Sequence, residues 1–234
     1  MIADGVMADG LVFVHGFTQT PASWTPILDA SPNAHAIALP HDDDFVGTAL
    51  ALADGTRHTY VGYSQGGRLC LQLALDQPEV VNRLVLVSAS PGIEDADARA
   101  ARRDADERLA QEIERDGVDA FLERWLAQPL FATLPRERSG IDERRAGNTV
   151  EDLQHQLRVL GQGAQPSNWD RLAELRMPVL LVVGALDTKY VDIAERMAER
   201  TADARVEVIP GAGHACHLEQ PERVAHLLAS FVDE

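Results

Sequence analysis

A serine, an aspartate and a histidine occur along this chain in an order that suits nucleophilic or proton-transfer chemistry. The segment Gly62–Gly66 reads G-Y-S-Q-G, fits the pattern G-x-S-x-G, and lies where a predicted strand ends and a helix begins. Small residues around such a strained turn push the serine hydroxyl out over a sheet. Asp187 follows a later apolar run, and His214 lies in a glycine-rich loop beyond it. We therefore predict a relay in which Asp187 orients His214, and His214 activates Ser64.

Each member of this relay also has a structural interpretation. The glycines of the pentapeptide could serve only the packing of a strand–helix turn, and Asp187 could be the N-cap of a helix. His214 could be a loop histidine bonded to the backbone, and His217 could take its place three residues later. The functional interpretation is favoured because three suitable residues fall in order at three predicted strand ends.

The first predicted strand ends at His15-Gly16-Phe17. We expect the backbone N–H groups of Phe17 and Gln65 to stabilise a developing oxyanion, although Gly16 could be an ordinary turn glycine. His15 is expected to be structural. Neither His41 with its acidic neighbours nor His214 with His217 forms a defined ligand set, so we expect no metal and no organic cofactor.

Short apolar runs alternate with helical patterns, such as Gln65–Leu75 and Glu222–Phe231. Near-continuous apolar strands joined by helices are typical of a parallel sheet that is covered on both faces. The pattern predicts a doubly wound α/β fold. The predicted buried strands cover residues 11–16, 35–40, 58–64, 83–90, 178–187 and 205–210.

The alternation stops between about Ile93 and Gln165, where the sequence is rich in Ala, Arg, Glu and Leu and has no strand candidate. Pro91-Gly92 and Gly161–Pro166 bound this segment. We expect a helical cap inserted over the carboxyl edge of the sheet. The predicted division is core 1–92, cap 93–167 and core 168–234.

Composition excludes several partners. The chain has 234 residues with 21 Lys and Arg against 37 Asp and Glu, which gives a net charge of −16. Such a charge disfavours nucleic acid and anionic membranes, and an anionic substrate would need a local arginine cluster. Cys70 and Cys216 are too few for a disulfide framework, and the first ten residues lack the features of a signal peptide. We expect a cytoplasmic protein; the sequence does not decide between a monomer and a homo-oligomer.

With these motifs, the chain resembles the α/β-hydrolase superfamily over nearly its full length. Within it, the chain is similar to the 2-succinyl-6-hydroxy-2,4-cyclohexadiene-1-carboxylate synthases of the menaquinone pathway. The segments that carry this narrower likeness are 62–68, 88–95, 99–110, 125–131, 160–166, 187–190 and 211–217.

The likeness implies a lyase. In that family the activated serine removes a proton next to the succinyl ketone, pyruvate is expelled, and no acyl-enzyme forms. The substrate carries several carboxylates, which guanidinium groups are suited to bind. A serine carboxylesterase or carbon–carbon bond hydrolase is the alternative, and a receptor-like hydrolase fold that senses a ligand is a further one.

Three arginines are candidates for binding these carboxylates. Arg68 lies one helical turn after Ser64, and the likeness assigns Arg102 and Arg145 in the cap. Arginines among many acidic residues are also common solvent-exposed ion-pair partners. Arg99 or Arg103 could replace Arg102, and Arg144 could replace Arg145. Family positions that line the site are also occupied by Tyr63, Trp125 and Lys189.

One loop departs from the family pattern. The residues after the second predicted strand read HDDDF (41–45), where G-H-G is frequent. Because that loop shapes the floor of the pocket, its departure from the family pattern bears on the identity of the substrate and not on the relay.

Overall fold

The computed structural model describes residues 10–28 and 33–233, and these contain a six-stranded parallel sheet. The strand order is β2-β1-β3-β4-β5-β6, and every neighbouring pair is parallel. This confirms the predicted doubly wound α/β class. The strands are β1 (Leu11–Val14), β2 (Ala34–Ile37), β3 (His58–Tyr63), β4 (Val81–Val87), β5 (Val179–Gly184) and β6 (Ala204–Ile209).

Burial distinguishes the central strands from the edge strands. β1 and β5 are buried throughout, as near-continuous apolar sequences between two helical layers should be. β2 and β6 lie at the two edges of the sheet and remain partly exposed. The expectation that residues 35–40 and 205–210 form fully buried strands is therefore wrong, because an edge strand has a neighbour on one side only.

Helices cover both faces of the sheet. One face packs against α2, α3 and α7, and the other against α1, α8 and α9. The bounds are α1 (Thr25–Leu28), α2 (Phe45–Leu50), α3 (Gln65–Asp76), α4 (Ala96–Leu126), α5 (Ile141–Gly147), α6 (Val150–Leu160), α7 (Thr188–Ala198), α8 (Cys216–Glu219) and α9 (Pro221–Asp233).

The elements from α4 to α6 lie between β4 and β5 in the chain and form the predicted cap region. Asp95 caps α4, and Thr149 with Asp152 forms a capping box at α6. The long α4 is broken at Gly117, where φ is 77°. A small apolar cluster of its own holds α4 and α6 together. The exact division at residues 92/93 and 167/168 stays a prediction.

The predicted absence of a signal peptide rests on residues 1–10, of which residues 1–9 lie outside the described residues, as do residues 29–32 and 234. No helix in the described ranges is both long and apolar enough to cross a membrane. Cys70 and Cys216 are both buried and free.

The turn from β3 into α3 depends on glycines that allow backbone segments to approach closely. A Cβ on Gly62 would lie 2.5 Å from the Cα of Gly67, and a Cβ on Gly66 would lie 2.3 Å from the carbonyl oxygen of Val14. Between these glycines, Ser64 has φ 48° and ψ −105°, which is a strained conformation for a residue with a side chain. This is the geometry that the G-x-S-x-G pattern predicts.

We predict that Gly66→Ala destabilises the fold by about 1–3 kcal/mol, because the added methyl group must displace the backbone at the end of β1. Urea denaturation of the variant and the wild type measures this difference.

Gly140→Asn is the matched control. Unlike Gly66, Gly140 has a positive φ of 63°, but asparagine tolerates this conformation and a Cβ there meets only Glu143 Oε2, at 3.6 Å. We expect a change within about 0.5 kcal/mol. Equal stability losses in the two variants would contradict the packing argument for the turn.

Candidate active site

The structure brings Ser64, His214 and Asp187 into one hydrogen-bonded chain. His214 Nδ1 lies 2.6 Å from Asp187 Oδ2, and His214 Nε2 lies 3.3 Å from Ser64 Oγ. A carboxylate can only accept, so the proton of a neutral imidazole sits on Nδ1 and leaves Nε2 free to accept from the serine hydroxyl. This arrangement can increase the basicity of Ser64 Oγ.

Both Ser64 and Asp187 precede helices, yet neither caps its helix. Ser64 occupies the N-cap position of α3 and Asp187 that of α7, and neither side chain forms a cap hydrogen bond. Both side chains are directed to His214 instead. The helix-capping interpretation of Asp187 is therefore contradicted.

Two loops are held together so that Asp187 meets His214. Leu186 N–H donates to Ala212 O at 2.9 Å, which joins the loop after β5 to the loop after β6. A Cβ on Gly184 would lie only 2.1 Å from the carbonyl oxygen of Gly213. The backbone at Gly184 therefore approaches the histidine loop more closely than a larger residue would permit.

The other nearby histidines belong to the core. His217 is buried between Tyr63 and Trp24, and burial lowers its pKa well below the usual range. Burial also lowers the pKa of His15 to about 4, while His15 Nδ1 lies 3.0 Å from Gly16 O. Both rings are neutral near pH 7. The geometry favours His214 over His217 as the partner of the serine.

A cavity of about 400 Å³ lies over the serine, between the sheet edge and the cap region. The charged side chains among its lining residues are Arg68, Arg102 and Lys189, and that lining contains no carboxylate. A chain with a net charge of −16 thus presents only cations to this cavity. The other lining residues are Phe17, Tyr63, Ser64, Gln65, Ala105, Leu109, Trp125, Gln128, Leu130, Phe131, Leu157, Gly161, Gln162, Tyr190 and His214.

Arg68 is buried in the cavity wall. Its guanidinium donates to Leu160 O at 2.8 Å and to Gln165 Oε1 at 3.4 Å, so it also ties α3 to the cap. Burial is the main reason that the pKa of Arg68 is lowered to about 10, and the nearby Arg102 contributes to this shift. Arg68 remains protonated at neutral pH.

Arg102 is held in place by its own neighbours in the cap. Its Nε donates to the buried Asp106 at 2.8 Å, and its Nη1 donates to Gln162 Oε1 at 2.6 Å. These bonds fix the guanidinium at the cavity surface. The assignment of Arg102, rather than Arg99 or Arg103, agrees with the cavity lining.

The structure does not bring Arg145 to this cavity, which corrects that expectation. Its guanidinium pairs with Glu123 at 2.6 Å, Asp142 at 3.0 Å and Asp119 at 3.5 Å. These carboxylates hold Arg145 on the acidic surface of the cap. The adjacent Arg144 is buried instead, but it does not line the cavity over Ser64 either.

Aromatic side chains form much of the cavity wall. Tyr63 lies beneath His214 with ring centroids 5.5 Å apart, and Trp125 packs edge-on against Phe17 at 5.0 Å. Lys189 lies at the exposed side of the lining, with Nζ 5.6 Å from the centroid of the Tyr190 ring. All three predicted positions, Tyr63, Trp125 and Lys189, therefore line the cavity.

Two of the lining residues that the sequence analysis did not predict, Tyr190 and Phe131, contact His214. Tyr190 packs against His214 with ring centroids 4.6 Å apart, and its hydroxyl accepts from Gln162 Nε2 at 3.0 Å. Phe131 approaches His214 from the cap, at 6.2 Å. Both lie in segments that carry the family likeness, DTKY (187–190) and WLAQPLF (125–131). This likeness is the feature of the sequence from which they could have been predicted.

The two residues predicted to supply oxyanion-binding N–H groups, Phe17 and Gln65, both line the cavity beside Ser64. Their role in binding an oxyanion stays a prediction. Among residues 10–28 and 33–233, no group of three or more His, Cys, Asp or Glu side chains is placed to hold a metal ion.

Comparisons with known proteins agree with this architecture. Residues 11–227 match the Alpha/beta hydrolase family. A Bacillus subtilis (strain 168) protein named "Putative 2-succinyl-6-hydroxy-2,4-cyclohexadiene-1-carboxylate synthase" is 32% identical, with 96% of this chain and 90% of that protein aligned. A Salmonella schwarzengrund (strain CVM19633) protein named "2-succinyl-6-hydroxy-2,4-cyclohexadiene-1-carboxylate synthase" is 29% identical, over 96% of this chain and 94% of the relative.

A comparison with solved structures agrees with these sequence similarities. The chain is similar to "MenH from S. aureus", with a TM-score of 0.89 and 27% sequence identity, and the match covers 97% of this chain and 94% of that one. The chain therefore belongs to the alpha/beta hydrolase family, in the group that includes the 2-succinyl-6-hydroxy-2,4-cyclohexadiene-1-carboxylate synthases.

Proposed function

We propose that this protein is a cofactor-independent lyase of menaquinone biosynthesis, a 2-succinyl-6-hydroxy-2,4-cyclohexadiene-1-carboxylate synthase. It would eliminate pyruvate from a succinyl-enolpyruvyl-hydroxycyclohexene-carboxylate. The relatives named above support this activity, and the chain spans nearly their whole length. The proposed substrate is a small polycarboxylate.

The observation that carries this proposal is the sign of the charges around Ser64. Arg68, Arg102 and Lys189 line the cavity without an accompanying carboxylate in the lining. Charged hydrogen bonds from guanidinium groups to carboxylates are among the stronger polar interactions in proteins. Asp106 pairs with Arg102 from behind the lining, but the surface that faces a substrate carries three cations, which a neutral substrate would not require.

In the proposed mechanism, Ser64 acts as a base and not as a nucleophile. His214 Nε2 accepts the hydroxyl proton while Asp187 stabilises the imidazolium that forms. Ser64 Oγ then removes the proton next to the succinyl ketone, and the N–H groups of Phe17 and Gln65 bind the resulting enolate oxygen. The enolate then re-forms the ketone as the C–O bond between the ring and the enolpyruvyl group breaks, pyruvate leaves as its enolate, and this enolate takes up the proton held on His214.

A serine carboxylesterase or carbon–carbon bond hydrolase is the second candidate. The apolar part of the lining favours it, since residues such as Leu109, Leu130 and Phe131 suit a hydrophobic acyl or alcohol group. The same relay would then form an acyl-enzyme on Ser64. The two activities differ in the product released.

The direct test is pyruvate release from the pathway intermediate, measured beside hydrolysis of a short-chain p-nitrophenyl ester. We expect the wild type to release pyruvate and Ser64→Ala to be slower by about 10²–10⁴-fold, because the variant lacks the proton acceptor. Circular dichroism shows whether the variant remains folded.

Ser167→Ala is the matched control, because Ser167 does not line the cavity. We expect it to release pyruvate at the wild-type rate. Efficient ester hydrolysis without pyruvate release would reject the lyase and favour the hydrolase. Near-full activity of Ser64→Ala would reject the relay in either enzyme.

A second prediction compares the two cap arginines. We expect Arg102→Ala to lower kcat/KM for the polycarboxylate roughly 10- to 150-fold, because a charged hydrogen bond is lost. This factor corresponds to about 1.5–3 kcal/mol. Arg145→Ala is expected to stay within about twofold, since Arg145 pairs with surface carboxylates. Steady-state kinetics on both variants measures the difference. Equal losses would show that the arrangement of the cap differs during turnover.

A further inference from the structure

The loop after β1, residues 15–20, supplies Phe17 to the cavity and is held by unusual local contacts. Thr18 has φ 66°, which is a strained conformation for a β-branched residue. Gln19 Oε1 accepts from Gly16 N–H at 3.1 Å, and Gln19 N–H donates to Gly16 O at the same distance. We call residues 15–20 the oxyanion loop. A strained conformation of this kind persists only where its surroundings fix it.

The surroundings that fix Thr18 belong to the cap. Arg144 Nη1 donates to the hydroxyl of Thr18, and Asn148 Nδ2 donates to its carbonyl oxygen at 2.9 Å. Asn148 also donates to Arg144 O at 2.8 Å, which links the two donors. The side chain and the backbone of one loop residue are thus both bonded to the end of α5.

A third contact lies between these two donors. A Cβ on Gly147 would meet the Cγ2 atom of Thr20 at 2.4 Å, so the cap backbone rests directly against the loop. Residues 144–148 therefore contact the loop at Thr18 and at Thr20, on either side of Gln19. We call residues 144–148 the cap latch.

The charge of Arg144 is unusual for its position. It is buried, and within the described ranges no carboxylate forms an ion pair with it. Burial lowers the pKa of Arg144 to about 10, so it is still a cation at neutral pH. Burying an arginine without a carboxylate is costly, which a purely structural link would avoid. A cation behind the oxyanion loop also favours negative charge in front of it.

We propose that the cap latch positions the oxyanion loop, so that Arg144 and Asn148 act as positioning residues for the Phe17 N–H group. The cap then does more than cover the substrate, because its docking on the core sets the geometry of the oxyanion site. This inference rests on the proposed function for its catalytic consequence. Its structural consequence can be measured without any substrate.

The test uses Arg144→Met and the adjacent Arg145→Met as a matched pair. Hydrogen exchange measured by mass spectrometry reports on the oxyanion loop, and pyruvate release reports on kcat and KM. For Arg144→Met we expect about 10- to 100-fold faster exchange in the loop and a similar loss of kcat, with KM within about threefold. Arg144→Lys retains the charge and one donor, and we expect it to recover part of kcat. Arg145→Met is expected to match the wild type in both measurements.

Further variants keep the test valid if Arg144→Met fails to fold. Thr18→Val removes the hydroxyl that accepts from Arg144 at nearly constant volume, and Asn148→Ala removes the bond to the Thr18 carbonyl. Both variants should accelerate hydrogen exchange in the oxyanion loop, and both should lower kcat without raising KM. Folded variants with wild-type loop exchange and wild-type kcat would overturn the proposal, as would a loss confined to KM.

Failure of the proposed function is distinguishable from failure of this inference. If no variant and no wild type releases pyruvate, kcat is taken from p-nitrophenyl ester hydrolysis, which also places negative charge on an oxygen at this site. Faster loop exchange with slower ester hydrolysis would then support the latch while rejecting the lyase. Unchanged loop exchange in Arg144→Met would reject the latch whatever the substrate.

Discussion

The site depends on the hydrogen bonds of His214 with Ser64 and Asp187, two side chains at positions where they would ordinarily stabilise helices. Serine and aspartate at an N-cap are each worth about 1 kcal/mol when they bond to the first turn. Ser64 and Asp187 occupy such positions without forming those bonds, and Ser64 also has a positive φ. The fold thus loses stability at two helix starts in order to form one relay. Buried parallel strands and glycine contacts around the turn fix this arrangement.

The charges of the protein have opposite effects on an anion at long range and at short range. At long range a net charge of −16 repels an anion, but solvent screens such effects beyond about 8 Å at physiological salt. Inside the cavity Arg68 and Arg102 act over contact distances, in surroundings from which water is partly excluded. The acidic residues of the cap serve a different purpose, since they hold Arg145 on the surface. Local geometry therefore places cations around the cavity in a chain that is acidic overall.

The sequence predicts the sheet and the relay well because both are encoded locally. An apolar run identifies a strand, and a G-x-S-x-G turn places Ser64 at its end. It cannot predict which of two adjacent cap arginines points inward, since neighbouring helical residues lie about 100° apart and only packing sets the rotation. Arg144 and Arg145 illustrate this directly, with one buried and the other on the surface. The contact between Arg144 and Thr18 joins residues 126 positions apart and leaves no local pattern.

In the proposed elimination, Ser64 removes a proton from carbon beneath a cationic cap. Single-turnover pyruvate release can test this step with substrate that carries deuterium at the carbon next to the succinyl ketone. Intact-mass measurement on the same samples monitors Ser64. We expect slower release from the deuterated substrate than from the unlabelled one, with no covalent adduct on the serine. Equal rates for the two substrates, together with an acyl adduct on Ser64, would contradict this mechanism.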